Sequence, residues 1–240
     1  MSSVLLKCEN LELRYAALAP VDFELRSGEV VALLGENGCG KSTFLKTLCG
    51  LLEPVSGTVS LLDSPLWPVS KSTWKPRERA KVVAIVRMGG VACDRMTARE
   101  FVALGRTPYA GLLDGRTKED ERIVDDSIAL LDLEKFANRW MTELSDGERS
   151  RVYLAQAIAQ QVKVLLLDEP NAFLDIPRSR KLFTLLQKLA KDCDMGILVS
   201  THSVEYAEKY GDRLAVIEKG LFRCEGANEA RAKGLLDWTM

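Results

Sequence analysis

The segment Gly35-Glu36-Asn37-Gly38-Cys39-Gly40-Lys41-Ser42-Thr43 constrains this chain more than any other. It follows the apolar run Val30-Val31-Ala32-Leu33-Leu34 and precedes Phe44-Leu45-Lys46-Thr47-Leu48. A buried strand, a glycine loop and a helix start in that order aim backbone N–H groups and a helix N-terminus at a polyphosphate. Lys41 adds a point charge for the β- and γ-phosphates, and the Ser42 hydroxyl is placed to reach Mg²⁺. Cys39 within the loop reads as a small filler or as an alkylatable thiol near the helix N-terminus.

A loop of this kind needs a parallel sheet to carry it, and the rest of the chain supplies one. Leu5 to Tyr15, Val21 to Leu25 and Val30 to Leu34 read as strands, with Leu11 and Leu13 alternating against Glu12 and Arg14. A helix over Lys41 to Cys49 leads to a short strand at Thr58 to Leu62, and a linker with Pro65, Pro68 and Pro76 leads to the apolar strand Val82 to Val86. Between Met96 and Gln160 the pattern turns helical. Thr97 with Glu100 and Ser145 with Glu148 form capping boxes, and Thr117 caps a helix with Val124, Ile128 and Leu131 on one face. Strands resume at Val164 to Leu167 and Gly196 to Ser200, with an amphipathic helix carrying Leu182, Leu185, Leu186 and Leu189 between them. The expected fold is α/β, a phosphate-loop core with a mainly parallel sheet, an N-terminal antiparallel β subdomain and an inserted helical subdomain. The expected division is 1–87 and 147–227 for the core, 88–146 for the helical subdomain and 228–240 for an unassigned tail.

Composition narrows the partners. The chain has 240 residues with 33 Lys and Arg against 34 Asp and Glu, so no global attraction to nucleic acid or anionic lipid is expected. Six cysteines without a C-x-x-C pair read as reduced thiols, and a single histidine, His202, argues against a Cys/His zinc site. The apolar runs are too short to span a bilayer, and Met1-Ser2-Ser3-Val4 has no basic region leading into a long apolar one. Any membrane role is therefore expected to come through a partner.

Two further strand ends complete the constellation. Val164 to Leu167 runs into Asp168-Glu169, where Asp168 can hold Mg²⁺ and Glu169 can polarise a water for in-line attack on the γ-phosphorus. Ile197 to Thr201 runs into His202, at the sheet edge where ligands of such folds bind. Leu144-Ser145-Asp146-Gly147-Glu148 is a capped helix start able to receive phosphate oxygens on its backbone N–H groups.

Taken together, the loop at 35–43, Leu144 to Glu148, Asp168-Glu169 and His202 resemble the nucleotide-binding subunits of ABC transporters, over about residues 4 to 225. The resemblance implies a head-to-tail homodimer enclosing two ATP molecules. Gly35 to Thr43, Asp168, Glu169 and His202 of one copy would meet Ser145 and Gly147 of the other. It also implies that Tyr15 stacks on adenine, that Asp175 in Asn171 to Asp175 meets the opposite copy, and that His202 contacts the γ-phosphate. Catalysis would fall to Glu169, His202 and Lys41, and Mg²⁺ to Ser42 and Asp168.

The segment Met96 to Tyr109 is similar to the helical insertion of ATPases serving importers of ferric siderophores, haem and cobalamin. This implies permease subunits as partners, indirectly a substrate-binding protein, and a place at the cytoplasmic face of the inner membrane. Two other readings stand beside this one: an ATP-gated dimerisation module with little turnover, and a soluble ABC-type ATPase acting on nucleic acid. The second usually has two ATPase halves or long coiled-coil insertions, which this chain does not show.

Two departures from the family pattern bear on rate. Asp146 and Glu148 add carboxylates near a polyanion, which is tolerable if Glu148 is engaged by Ser145 and Asp146 faces the helix dipole. Met88 stands where most members carry Gln, and a thioether neither ligates Mg²⁺ nor orients water as an amide does. Met88→Gln is expected to raise the steady-state ATPase rate; an unchanged rate would remove Met88 as the reason for slow turnover.

Overall fold

The computed structural model describes residues 2–87, 95–111 and 115–233, so Met88 lies outside the described residues. Every residue of β3 (Val30–Gly35) is buried, because the strand is covered on both faces. Val31 and Leu33 point into one apolar core, and Val30, Ala32 and Leu34 into another. Period-two alternation in the central strand thus divides the molecule into two layers of packing.

The first core is a sandwich. β1 (Val4–Glu12) and β2 (Val21–Arg26) pair antiparallel, and β4 (Ser56–Leu61) and β5 (Ser64–Trp67) extend that sheet in the order β2-β1-β4-β5. It packs over α1 (Lys41–Leu48), whose Phe44, Leu45 and Leu48 are fully buried against it. Phe44 meets Phe23 and Phe222 with ring centroids 5.9 and 5.3 Å apart, an aromatic contact joining helix and both sheets. The helix that leaves the glycine loop is thereby wedged between two sheets.

The second core lies on the opposite face of a six-stranded sheet. After α2 (Pro76–Ala80) come β6 (Val83–Arg87), α3 (Ala98–Ala103), α4 (Lys118–Leu130), α5 (Asp146–Ala159) and β7 (Val164–Asp168). There follow α6 (Ile176–Asp192), β8 (Gly196–Ser200), α7 (Val204–Tyr210), β9 (Arg213–Glu218), β10 (Leu221–Gly226) and α8 (Ala227–Ala232). The strand order is β10-β9-β3-β8-β7-β6, parallel except for the β9–β10 hairpin. Phe183 of α6 stacks on Tyr206 and Tyr210 of α7, closing one flank.

The predicted boxes form, Thr97 with Glu100 and Ser145 with Glu148, and Thr117 caps α4 as expected, with Asp120 completing a box there as well. The helical block is held by α5, which packs against α3, α4 and β6. Behind α3, the short turn of helix Leu104–Tyr109 is anchored to the end of α5. The buried Arg106 guanidinium donates to Asp120 Oδ1 at 2.8 Å and to the Ala159 carbonyl at 2.7 Å, and it lies 3.9 Å from the Tyr109 ring centroid. That hydrogen bond, with those from Thr117, holds the Asp120 carboxyl down at about 2.

Three elements differ from the reading of the sequence. β1 ends at Glu12, so Tyr15 sits three residues beyond the strand, at φ 66° in the left-handed region that no strand admits. The stretch with Pro65 is not a linker but carries β5, an edge strand, where a proline need not donate to the ladder. The start of the unassigned tail is helical in α8, and 234–240 lie outside the described residues.

Gly105 has no room for a side chain: a Cβ there would lie 2.3 Å from the Gln156 carbonyl oxygen and 3.1 Å from Ala159 Cβ. Gly105→Ala must push the 104–109 turn off α5, and is expected to destabilise the protein by about 1–3 kcal/mol in a urea unfolding curve. A change within about 0.5 kcal/mol would mean that this contact yields freely.

Candidate functional site

The loop between β3 and α1 closes on its own lysine. Lys41 is only 5% exposed, and its Nζ donates to the carbonyl oxygens of Gly35 and Glu36 at 2.6 and 2.9 Å. Two of three ammonium donors are engaged, and the charge is held at the centre of the loop. Gly35 must be glycine, since a Cβ would lie 2.7 Å from Cys39 Sγ and 2.8 Å from the Ile217 carbonyl oxygen. Cys39 therefore fills the space beneath the loop. The cap of α1 is Gly40, which offers no side-chain acceptor to the first-turn N–H groups. Ser42 and Thr43 stand half-buried in that first turn.

Sheet register brings the other strand ends to this loop. Leu33 pairs with Ser200, Ser200 with Asp168 and Asp168 with Arg87, and the Thr201 N–H donates to the Leu33 carbonyl at 3.1 Å. One edge of the parallel sheet thus collects the loop, two carboxylates and the residues that follow β8. Ser200 Oγ donates to Asp168 Oδ1 at 3.0 Å, and the Glu169 N–H donates to Ser200 Oγ at 2.9 Å. Asp168 Oδ2 lies 3.9 Å from Arg87 Nε, too long for a hydrogen bond. Glu169 takes φ 51°, turning its side chain out of the sheet, where Oε1 meets His202 Nε2 at 2.5 Å. Both side chains remain partly open to solvent.

Ser200 and Arg87 were not among the residues singled out from the sequence. Ser200 is 0% exposed and serves two carboxylate residues at once. Its signal was a hydroxyl ending the apolar run Ile197-Leu198-Val199, one register step from an acid that no linear pattern connects to it.

Tyr15 is 83% exposed in the loop joining β1 to β2. That loop adjoins the glycine loop, since a Cβ on Gly40 would lie 3.0 Å from Ala16 Cβ, and it is tied to the β9–β10 turn by the Ala19 N–H, which donates to the Gly220 carbonyl at 2.8 Å. The tyrosine ring is therefore free at the rim of the phosphate loop, carried by a turn and not by a strand end.

Ser145, Gly147 and Asp175 form a separate group. Ser145 caps α5, with its N–H and Oγ both donating to Glu148 Oε2 at 2.8 Å. These bonds hold the Glu148 carboxyl below its ordinary range and turn it back onto the helix end. Asp146 pairs with Arg149 one turn on. Gly147 lies against the loop after Glu169, since a Cβ there would be 3.2 Å from the Phe173 carbonyl oxygen. Asp175 caps α6 by accepting from the Arg178 N–H at 2.9 Å. The hydrogen bonds of Ser145 and Asp175 stay within their own caps and do not reach the glycine loop.

Chemically, the sheet edge offers N–H groups and an ammonium for a polyphosphate, hard oxygens for a divalent cation and a carboxylate able to orient water. Among the described residues no three His, Cys, Asp or Glu side chains cluster as a metal cage. Mg²⁺ needs none, since it keeps waters and binds through one or two protein oxygens plus phosphate.

Comparison with known proteins agrees with this chemistry. Residues 18–172 match the family model described as ABC transporter. The petrobactin import ATP-binding protein FpuC of Bacillus anthracis is 36% identical over 210 residues, 87% of this chain and 75% of that protein. The hemin import ATP-binding protein HmuV of Shewanella denitrificans is 36% identical over 212 residues, 86% of this chain and 80% of that protein. A solved dimer of an ATP-binding cassette in a post-hydrolysis state, bound to ADP and Pi, superposes with a TM-score of 0.80 at 26% identity. It covers 93% of this chain and 99% of that one.

Removing the Ser200 hydroxyl leaves the Glu169 N–H without its partner at a fully buried position. Ser200→Ala is expected to cost about 1–3 kcal/mol of unfolding free energy, measured by urea denaturation without nucleotide. A variant as stable as the wild type would show that this hydroxyl is not the link between the two acidic residues.

Proposed function

This chain belongs to the ABC transporter ATP-binding family, and from that membership we propose that it powers the import of a ferric siderophore, haem or cobalamin by hydrolysing ATP. The relatives named for petrobactin and hemin import support that substrate class. The observation that carries the hydrolytic assignment is the 2.5 Å contact between Glu169 Oε1 and His202 Nε2 at the sheet edge beside the phosphate loop.

The proposed chemistry follows from the groups present. The N–H groups of Gly35 to Thr43 receive the triphosphate, and Lys41 exchanges a loop carbonyl for a phosphate oxygen. The exchange is inexpensive, because the lysine is already desolvated and positioned. His202 Nε2–H holds one oxygen of Glu169 and leaves the other to orient a water in line with the γ-phosphorus. His202 would also contact the γ-phosphate, so that cleavage would change its contacts. Tyr15 supplies an open aromatic face for adenine.

The donor set fits Mg²⁺. Ser42 is a hydroxyl in the first turn of α1, and Asp168 has one oxygen engaged by Ser200 and another free of hydrogen bonds among the described residues. When bound, the ion offsets phosphate charge as it develops. Ser42 would hold it directly and Asp168 through its water shell.

The hydrogen bonds of Ser145 stay within its own cap, and Gly147 lies against Phe173 and not against the glycine loop's residues. We assign Ser145 and Gly147 to the nucleotide bound by a second copy, with Asp175 at the contact between the two. The engaged Glu148 removes much of the repulsion that its charge would offer a phosphate. The partners proposed beyond this pair are permease subunits, received by the segment Met96 to Tyr109, and through them a substrate-binding protein. The proposed location is the cytoplasmic face of the membrane. No helix among the described residues is long and apolar enough to cross one.

Glu169→Gln tests the assignment. It is expected to lower ATP hydrolysis by roughly 10²–10⁴-fold, the range for losing a positioned general base, while retaining ATP-dependent dimerisation by size-exclusion chromatography. Undiminished hydrolysis would move the water-orienting role away from Glu169. A wild type that dimerises with ATP but turns none over would favour the nucleotide-gated module.

A further inference from the structure

A cavity of about 460 Å³ lies between α5, α6 and the segment following α4. None of the residues of the glycine loop lines it, nor do Glu169 and His202. Its floor is apolar, built from Leu131, Phe136, Leu154, Leu174, Leu182 and Leu185. Its rim carries four cations, Lys135, Arg151, Arg178 and Lys181, against one carboxylate, Asp132.

The cations are incompletely neutralised. Lys181 reaches Asp132 only at 3.7 Å across a solvent-exposed gap, and Arg178 pairs with Asp175, which lies outside the cavity. Lys135 makes no ion pair among the described residues. Arg151 uses Nη1 on the carbonyl oxygens of Leu131 and Asp132, at 2.8 and 3.0 Å. Its Nε is buried and has no acceptor. Burial, with the nearby charge of Arg178, pushes the guanidinium below its ordinary range. A buried N–H of a charged group without an acceptor is costly, and the positive charge that Arg151 holds in the cavity wall is left for an anion to offset.

We infer that this cavity binds a small amphipathic anion, an alkyl or aryl body bearing one carboxylate or comparable acid group. The volume is that of a small-molecule pocket, and an apolar floor with convergent polar groups is the usual make-up of one. The cationic excess on the rim selects an anion over a neutral molecule of the same shape. The occupant touches Pro170 and Leu174 in the loop after Glu169, and Ser150, Arg151 and Leu154 on the helix that begins at Ser145. The site therefore lies beside both halves of the proposed ATPase machinery while using none of the glycine-loop residues, Glu169 or His202.

Isothermal titration calorimetry of the full chain with octanoate and with 1-octanol tests this. Octanoate is expected to bind at least tenfold more tightly than octanol. The double variant Lys135→Glu, Lys181→Glu changes exposed rim side chains and is expected to weaken octanoate at least tenfold while leaving octanol unaltered. Leu185→Trp, which fills the floor, is expected to weaken both. Thermal unfolding of each variant confirms that it is folded. Saturating ADP is expected to leave octanoate affinity unchanged. Equal affinity for the two probes, indifference to all these substitutions, competition by ADP or no octanoate binding would each overturn the proposal. ADP binding measured alongside keeps the cases apart, since its failure would sink the nucleotide site and leave this cavity standing.

Discussion

The parallel pairing of β3 with β8 and of β8 with β7 is the constraint on which the rest of the molecule depends. It sets Leu33, Ser200 and Asp168 side by side at one sheet edge. Because side chains alternate along a strand, a slip of one residue would turn Val31 and Leu33 out of their core and carry Asp168 away from Ser200. The same hydrophobic alternation that separates the two cores therefore also holds the strand ends of the candidate site in register. Stability and site geometry share one set of hydrogen bonds.

The glycine loop depends on that frame from both sides. Beneath it, Cys39 and the Ile217 carbonyl leave room only for a residue without a Cβ at Gly35. Beyond it, α1 is clamped by the contact of Phe44 with Phe23 and Phe222. Lys41 is thus desolvated with its charge satisfied by two carbonyls. A flexible surface lysine would have to lose side-chain entropy on meeting a phosphate; this one has already lost it.

The helical block obeys a different logic. Its geometry rests on α5, fixed at one end by the Ser145–Glu148 box and at the other by Arg106, Tyr109 and the close approach of Gly105. Two carboxylates that look misplaced near a proposed anion site are explained locally, Glu148 by the cap and Asp146 by Arg149. The same helix walls the cationic cavity, so the segment that presents Ser145 also contributes the guanidinium nitrogen left without an acceptor.

Much of this was legible in the sequence because it depends on short-range order. The glycine loop, the helix caps at Thr97, Thr117 and Ser145 and the apolar strands leading to Asp168-Glu169 and His202 are each fixed within a few residues by backbone conformation, cap chemistry and alternation. What lay beyond reach depends on pairings between distant segments. The edge position that admits Pro65 to β5, the left-handed turn carrying Tyr15, the role of Ser200 and the gathering of four cations over an apolar floor all come from residues far apart in the chain. Local chemistry decided which groups this protein has, and only tertiary packing decided which of them meet, because register and burial are properties of the whole sheet and of no single segment.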